Sequence, residues 1–100
     1  MEITEIREHL DGLAGVREQR RDGRIGWYVD NLLVAREEDG ESIVIRSDFD
    51  ARERLVDTHP DTFSVTPPLE AHMKVLADLV RGDPDAIRAA LTAAWELQRA

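Results

Sequence analysis

The stretch from Val16 to Ser47, VREQRRDGRIGWYVDNLLVAREEDGESIVIRS, decides the fold. Three turn-forming pairs punctuate it at near-regular spacing: Asp22-Gly23, Asp30-Asn31 and Asp39-Gly40. Asp, Asn and Gly tolerate the positive φ angles that a type I′ hairpin turn requires. The segments between them, Val16–Arg21, Arg24–Val29, Leu32–Glu38 and Glu41–Arg46, are expected to form a four-stranded antiparallel meander. Two-residue hairpins fix the register. Arg17 then faces Tyr28, Gln19 faces Gly26 and Arg21 faces Arg24 across the first turn. Across the second, Tyr28 faces Leu33 and Trp27 faces Val34, and across the third Val34 faces Ile45, Ala35 faces Val44 and Arg36 faces Ile43.

Outward from the meander the period changes. Ile3, Ile6, Leu10 and Leu13 make one apolar stripe of a helix, with Glu2, Glu5, Glu8 and Asp11 off the stripe and Gly15 as a left-handed stop. Downstream, Asp50-Ala51-Arg52-Glu53 has the form of a capping box, starting a helix that ends near Thr58, before His59-Pro60. Phe63–Val65 reads as a short strand stopped by Pro67-Pro68. Met73, Val75, Ala77 and Leu79 alternate as another strand, and Asp83-Pro84 starts a terminal helix through Trp95 and Gln98. The order αββββαββα predicts an α+β two-layer sandwich, with the terminal helices packed on one face of a mainly antiparallel sheet.

A chain of 100 residues forms one domain, expected to span residues 1–100. The absence of cysteine excludes disulfides and thiolate chemistry. No apolar run is long enough to span a bilayer, and Met1-Glu2-Ile3-Thr4-Glu5 lacks the basic start of a signal peptide, so no membrane association and a cytoplasmic location are expected. His9, His59 and His72 lack metal-ligand spacing, the three serines lie in no nucleophile motif, and no glycine-rich phosphate loop occurs. The expectation is a non-enzyme with no metal or cofactor.

The predicted register assigns Ile25, Trp27, Val29, Leu32, Val34, Ile43 and Ile45 to the core face, with Glu18, Arg20 and Arg36 at its margin. The opposite face collects Arg17, Gln19, Arg21, Arg24, Tyr28, Leu33, Ala35, Glu37, Ser42, Val44 and Arg46, about +3 on a protein of net charge −8. Arginine and tyrosine keep any open pleated face soluble. The same residues also suit phosphate contacts, with Tyr28 available to stack a base. Alternatively, Tyr28, Leu33 and Val44 make an apolar patch with a polar rim, as a protein interface requires.

The second half resembles the YjbR/MmcQ-like family of small bacterial proteins. Leu55-Val56-Asp57-Thr58-His59-Pro60-Asp61-Thr62-Phe63 is similar to that family's His-Pro segment with its following aromatic, and Val65-Thr66-Pro67-Pro68 to the proline-containing piece after it. Lys74 to Leu79, Asp83-Pro84 and Ala94-Trp95 are similar to its last strand and terminal helix, and Leu13-Ala14-Gly15-Val16 to the run into its first strand. The resemblance implies a frataxin-like (CyaY-like) sandwich. It also implies DNA binding through a double wing of hairpins, here those turning at Asp22-Gly23 and Asp39-Gly40. The leading expectation is therefore weak, largely non-specific binding of double-stranded DNA through Arg17, Arg20, Arg21, Arg24, Tyr28 and Arg46. The alternative is a protein-interaction or regulatory module, homodimeric or bound to another protein, that uses Tyr28, Leu33 and Val44.

Overall fold

The computed structural model describes residues 1–100. Helix α1 (Ile3–Asp11) is followed by strands β1 (Arg17–Arg21), β2 (Arg24–Val29), β3 (Leu32–Asp39) and β4 (Ser42–Arg46). Helix α2 (Phe49–Thr58), strand β5 (Phe63–Ser64), a 3-10 turn at Pro67–Leu69, strand β6 (Lys74–Asp78) and helix α3 (Pro84–Arg99) complete the chain. The six strands form one open antiparallel sheet in the order β1-β2-β3-β4-β6-β5. An α+β architecture with this element order is what the turn and periodicity signals predict. No helix is long and apolar enough to cross a membrane.

The helices cover one face of the sheet. Ile6 and Leu10 of α1 and Ile87, Ala90, Leu91 and Ala94 of α3 pack against Trp27, Val29, Ile43, Ile45, Val75 and Ala77 in a single buried cluster. Phe63 joins it from the edge strand. Burying these side chains contributes about 1.5–3 kcal/mol for each large residue, before the entropy of ordering the chain is subtracted. Trp95 sits at the rim of that core and donates its indole N–H to the Ala14 carbonyl at 2.8 Å, fixing the end of α3 over the α1–β1 connection.

Two turns have the expected chemistry: Asp22 and Gly23 lie at φ 53° and 78°, and Asp30 and Asn31 at 50° and 66°. The β1–β2 register also matches the expectation, pairing Arg17 with Tyr28, Gln19 with Gly26 and Arg21 with Arg24. The third turn differs. Its loop is Gly40-Glu41, and Asp39 remains in the ladder opposite Ser42, accepting hydrogen bonds from Glu41 N–H (2.8 Å) and Ser42 Oγ–H (3.0 Å). Gly40 has no positive φ, so the side chain of Asp39 organises this turn in place of a left-handed glycine.

Two bulges correct the predicted register on β3. Between Trp27 and Tyr28 the pairing jumps from Leu33 to Ala35, so Trp27 faces Ala35 rather than Val34. Ala35 then pairs with Ile45, Arg36 with Val44 and Glu37 with Ile43, each one residue away from the predicted partner. A second irregularity lies between Glu37 and Asp39. The extra residue of a bulge breaks the two-residue alternation, so Val34 and Ala35 both lie in the core cluster. Ala35 and Glu37 therefore move to the helix side and Arg36 to the open side.

Three helix boundaries also shift. Helix α1 stops at Asp11, before Leu13, with the positive-φ Gly15 shaping the following turn. Helix α2 begins at Phe49, and its N-cap lies two residues before the Asp50 of the predicted capping box. Its cap is Asp48, which accepts from the Ala51 N–H at 2.7 Å, whereas Asp50 is already inside the first turn. The segment Pro67-Pro68, expected only to end a strand, starts the 3-10 turn. Helix α3 begins as predicted, with Asp83 accepting from Asp85 N–H at 2.9 Å and Pro84 in the first turn.

The loop between the 3-10 turn and β6 is pinned by one side chain. Arg52 of α2 donates from Nη1 to the carbonyls of Leu69 (3.1 Å), His72 (2.7 Å) and Lys74 (3.3 Å), and from Nη2 to that of Glu70 (3.3 Å). The planar, always-charged guanidinium suits this role because it presents several donors in a fixed fork.

Candidate functional site

The sheet face away from the helices has no layer over it. The observed registers place on it Arg17, Gln19 and Arg21 of β1, Arg24, Gly26 and Tyr28 of β2, and Leu33 and Arg36 of β3. Val44 and Arg46 of β4 and Lys74 and Leu76 of β6 continue it. Six cations thus share this face: Arg17, Arg21, Arg24, Arg36, Arg46 and Lys74. Three acids, Glu38, Asp39 and Asp78, gather at the Ser42 end, where Ser42 faces both Asp39 and Asp78. The net of +3 equals the value expected from the sequence, but its members differ.

Few of these cations are neutralised. Arg24 and Arg36 share one carboxylate oxygen, Glu38 Oε1, at 3.2 and 3.1 Å. Arg21 donates to the Gln19 amide oxygen from Nε (3.1 Å) and Nη2 (2.7 Å), and its guanidinium stacks over the Tyr28 ring at 3.9 Å. The Arg46 guanidinium donates only to the Met73 sulfur, at 3.8 Å, and its Nε is buried without an acceptor. Partial burial and the neighbouring charges of Arg36 and Arg46 hold the Lys74 ammonium below its ordinary pKa. The centre of the face therefore carries positive charge that the protein's own acids leave uncompensated.

Tyr28 lies flat on the sheet. A Cβ added to Gly26 would stand 2.8 Å from the Tyr28 hydroxyl and 2.9 Å from its ring, so the missing side chain is what lets the ring lie there. With Gly26 beneath and Arg21 above, Tyr28 is 9% exposed and is sandwiched rather than presented. Val44 is fully buried, at 0% exposure. Of the three residues of the expected apolar interface, only Leu33 keeps appreciable exposed surface. A free aromatic platform for base stacking is likewise absent at Tyr28.

Arg20 separates from the other arginines. It pairs with Ile25 on the helix side of the sheet and donates to the Gly23 carbonyl at 3.1 Å, bracing the first turn. Arg36 and Lys74 are the members that sequence reasoning missed. Lys74 was within reach of the β6 alternation, because Val75 and Ala77 point to the core and Lys74 must then point away. Arg36 was not, because the bulge that turns it outward has no sequence signature.

On the helix side, the polar residues form a structural network. Arg7 donates from Nε and Nη2 to the two carboxylate oxygens of Glu18 at 2.8 and 3.2 Å, and Trp27 Nε1 donates to the same carboxylate at 2.9 Å. The hydrogen bond from Arg7 is the main reason the Glu18 carboxyl sits below its ordinary pKa, with Trp27 adding to it against partial burial. The link ties α1 to the β1–β2 hairpin and orients Trp27 in the core. No group of three or more His, Asp or Glu side chains converges as a metal site would require. No protein-family model, curated protein or solved structure matches this chain.

Proposed function

We propose that the protein is a cytoplasmic, non-enzymatic DNA-binding domain of the YjbR/MmcQ type that uses its open sheet face to contact the phosphate backbone. The observation that carries this reading is the gathering of Arg17, Arg21, Arg24, Arg36, Arg46 and Lys74 on the one uncovered surface of an acidic protein, with only Glu38 paired among them. Arginine meets phosphate oxygens in charge-assisted, often bidentate hydrogen bonds. The resemblance to the family, carried by pieces between Leu55 and Trp95 and by Leu13–Val16, with the frataxin-like sandwich and DNA binding it implies, points the same way. Binding of this kind positions a duplex without reading its bases.

About four phosphates are within the capacity of six cations that also face three acids, so log K should fall with log salt at a slope of about −4. The overall charge of −8 weakens association further. The test is fluorescence anisotropy of a labelled duplex of about 20 base pairs at low and moderate salt. Binding with that slope, lost in Arg21→Glu combined with Arg24→Glu, supports the reading. Absence of binding into the high-micromolar range at low salt, or binding untouched by the double reversal, refutes it. Burial of Val44 and Tyr28 leaves the rival protein-interface reading on this face with little apolar surface to bury.

A further inference from the structure

The cations of the open sheet face fall into two groups. Arg17, Arg21 and Arg24 lie on the β1–β2 hairpin, where Arg21 and Arg24 have partners in Gln19, the Tyr28 ring and Glu38. Arg36, Arg46 and Lys74 crowd together on β3, β4 and β6. Arg46 and Lys74 are direct partners across the β4–β6 ladder, and Arg36 pairs with Val44, the next open-face position along β4. Opposed residues on antiparallel strands stand about 4.5–5.5 Å apart at Cα, and like charges placed there repel. Val44 is buried although no helix covers it, so the side chains around it converge over it.

The chain's own acids do not offset this repulsion. None of the five ion pairs includes Arg46 or Lys74, and Arg36 shares a single Glu38 oxygen with Arg24. The acids at the Ser42 end are engaged by their own loops. Asp78 accepts from the Val80 and Arg81 N–H groups at 2.8 and 3.0 Å, and Asp39 from Glu41 and Ser42. Asp78 also lies four residues from Lys74 along β6, about 13 Å at the rise of a strand. Desolvated charges are ordinarily paired. Here Arg46 has a buried Nε without an acceptor and only a thioether, a weak acceptor, against Nη2. Partial burial and the charges of Arg36 and Arg46 disfavour the charged form of Lys74.

Three cations on three adjacent strands complement a group with three acceptor oxygens and more than one negative charge. A phosphate monoester has both, with about two charges near neutral pH. A phosphate diester offers two free oxygens and one charge. We infer that Arg36, Arg46 and Lys74 form a binding site for a phosphate monoester, supplied by the 5′ end of a nucleic-acid strand or by a small phosphorylated molecule. The first source rests on the DNA-binding reading; the site itself rests on the cluster alone.

The test uses the full chain, labelled with 15N and titrated at about pH 7.5 with methyl phosphate and with dimethyl phosphate, which differ by one charge. Methyl phosphate should shift the amides of Val44, Arg46, Lys74 and Leu76, with Kd on the order of 1 mM for so small a ligand. Dimethyl phosphate should bind at least about tenfold more weakly, the factor expected for losing one charge-assisted contact. Arg46→Met and Lys74→Met should each weaken methyl phosphate by a similar factor without lowering Tm, because each removes a cation that no acid of the chain offsets. Arg17→Gln, at the β1 edge of the same face, should leave that affinity unchanged. Anisotropy of duplexes with 5′-phosphate or 5′-hydroxyl ends separates the two sources. Tighter binding of the phosphorylated duplex, lost in Lys74→Met, assigns the strand end. Equal binding of the two duplexes, with methyl phosphate saturating the site, assigns a small phosphorylated molecule. The same assignment follows if neither duplex binds, and then the DNA-binding reading alone falls. Equal affinity for methyl and dimethyl phosphate, shifts confined to β1 and β2, unchanged methyl phosphate binding in both methionine variants, or no saturable shift would each overturn the proposal.

Discussion

Replacing Gly82 by alanine tests the packing that joins β6 to α3. A Cβ at Gly82 would stand 2.2 Å from the Asp78 carbonyl oxygen and 3.0 Å from both Ile87 Cδ1 and Thr62 Cγ2. The first contact is with backbone, so no side chain can swing aside to relieve it. The same carbonyl accepts the Gly82 N–H at 3.0 Å, and the next residue, Asp83, donates its N–H to Thr62 Oγ1 at 2.9 Å while capping α3. Moving the loop outward strains both bonds. Overpacking costs about 1–3 kcal/mol, and each weakened hydrogen bond about 1 kcal/mol. The reduced freedom of the unfolded chain returns about 0.4–1 kcal/mol. The expected net loss is about 2–4 kcal/mol, or a fall in Tm of about 10–25 °C for a domain of this size. Urea unfolding followed by tryptophan fluorescence measures it. Gly40→Ala is the control, since nothing lies within 4 Å of its Cβ and its φ is not positive; it should stay within about 0.5 kcal/mol of the parent. If Gly82→Ala unfolds at the same urea concentration as Gly40→Ala, the junction is not tightly packed and the reasoning fails.

Three further outcomes are expected. Arg36→Gln should weaken duplex binding and make the salt slope shallower by about 0.9, while Arg20→Gln should leave both unchanged; anisotropy at several salt concentrations separates them. Burial, and the nearby charge of Arg88, hold the His9 imidazole below its ordinary pKa. The unfolded chain therefore binds the proton more readily, and stability should fall as pH drops through about 6.5. His9→Gln should flatten urea midpoints between about pH 7 and pH 5.5; an unchanged slope would remove His9 as the cause. Phe63→Ala, at a core position 1% exposed, should cost about 3–5 kcal/mol, enough to leave a large unfolded fraction at 37 °C by circular dichroism.

The legible parts of this fold were those written locally. Asp22-Gly23 and Asp30-Asn31 specify their turns through backbone conformations that few residue types adopt, and the β1–β2 register follows from the first of them. Asp83-Pro84 marks the start of α3 for the same kind of reason. What failed depends on partners distant in sequence. The bulge opposite Trp27 and Tyr28 is a compromise between neighbouring strands, and it displaced Ala35, Arg36 and Glu37 by one step each. Asp48 rather than Asp50 caps α2 because the chain leaves β4 only two residues earlier, a constraint set by the sheet. For the site, Arg17, Arg21, Arg24 and Arg46 were placed correctly on the open face, whereas the shielding of Tyr28 and Val44 depends on how Arg21 and Gly26 pack, which no local pattern records.

The Arg52 pin has a consequence for how the molecule comes apart in acid. Guanidinium stays charged at any pH the protein meets, and its four acceptors are backbone carbonyls that do not titrate. The attachment of α2 to the chain ahead of β6 is thus indifferent to protons. The fastening of α1 is not. It relies on the Glu18 carboxylate held by Arg7 and Trp27, whose lowered pKa means that its contribution is present above the ordinary carboxylate range and is lost as pH falls through the folded value. His9, hydrogen-bonded to Thr92 of α3 at 2.9 Å, adds a second acid-sensitive link on the same helix. Acidification should therefore loosen the amino-terminal helix first while the carboxy-terminal half keeps its ladder. Amide hydrogen exchange would register this as early loss of protection at Ile6 and Leu10, ahead of Val75 and Ala77.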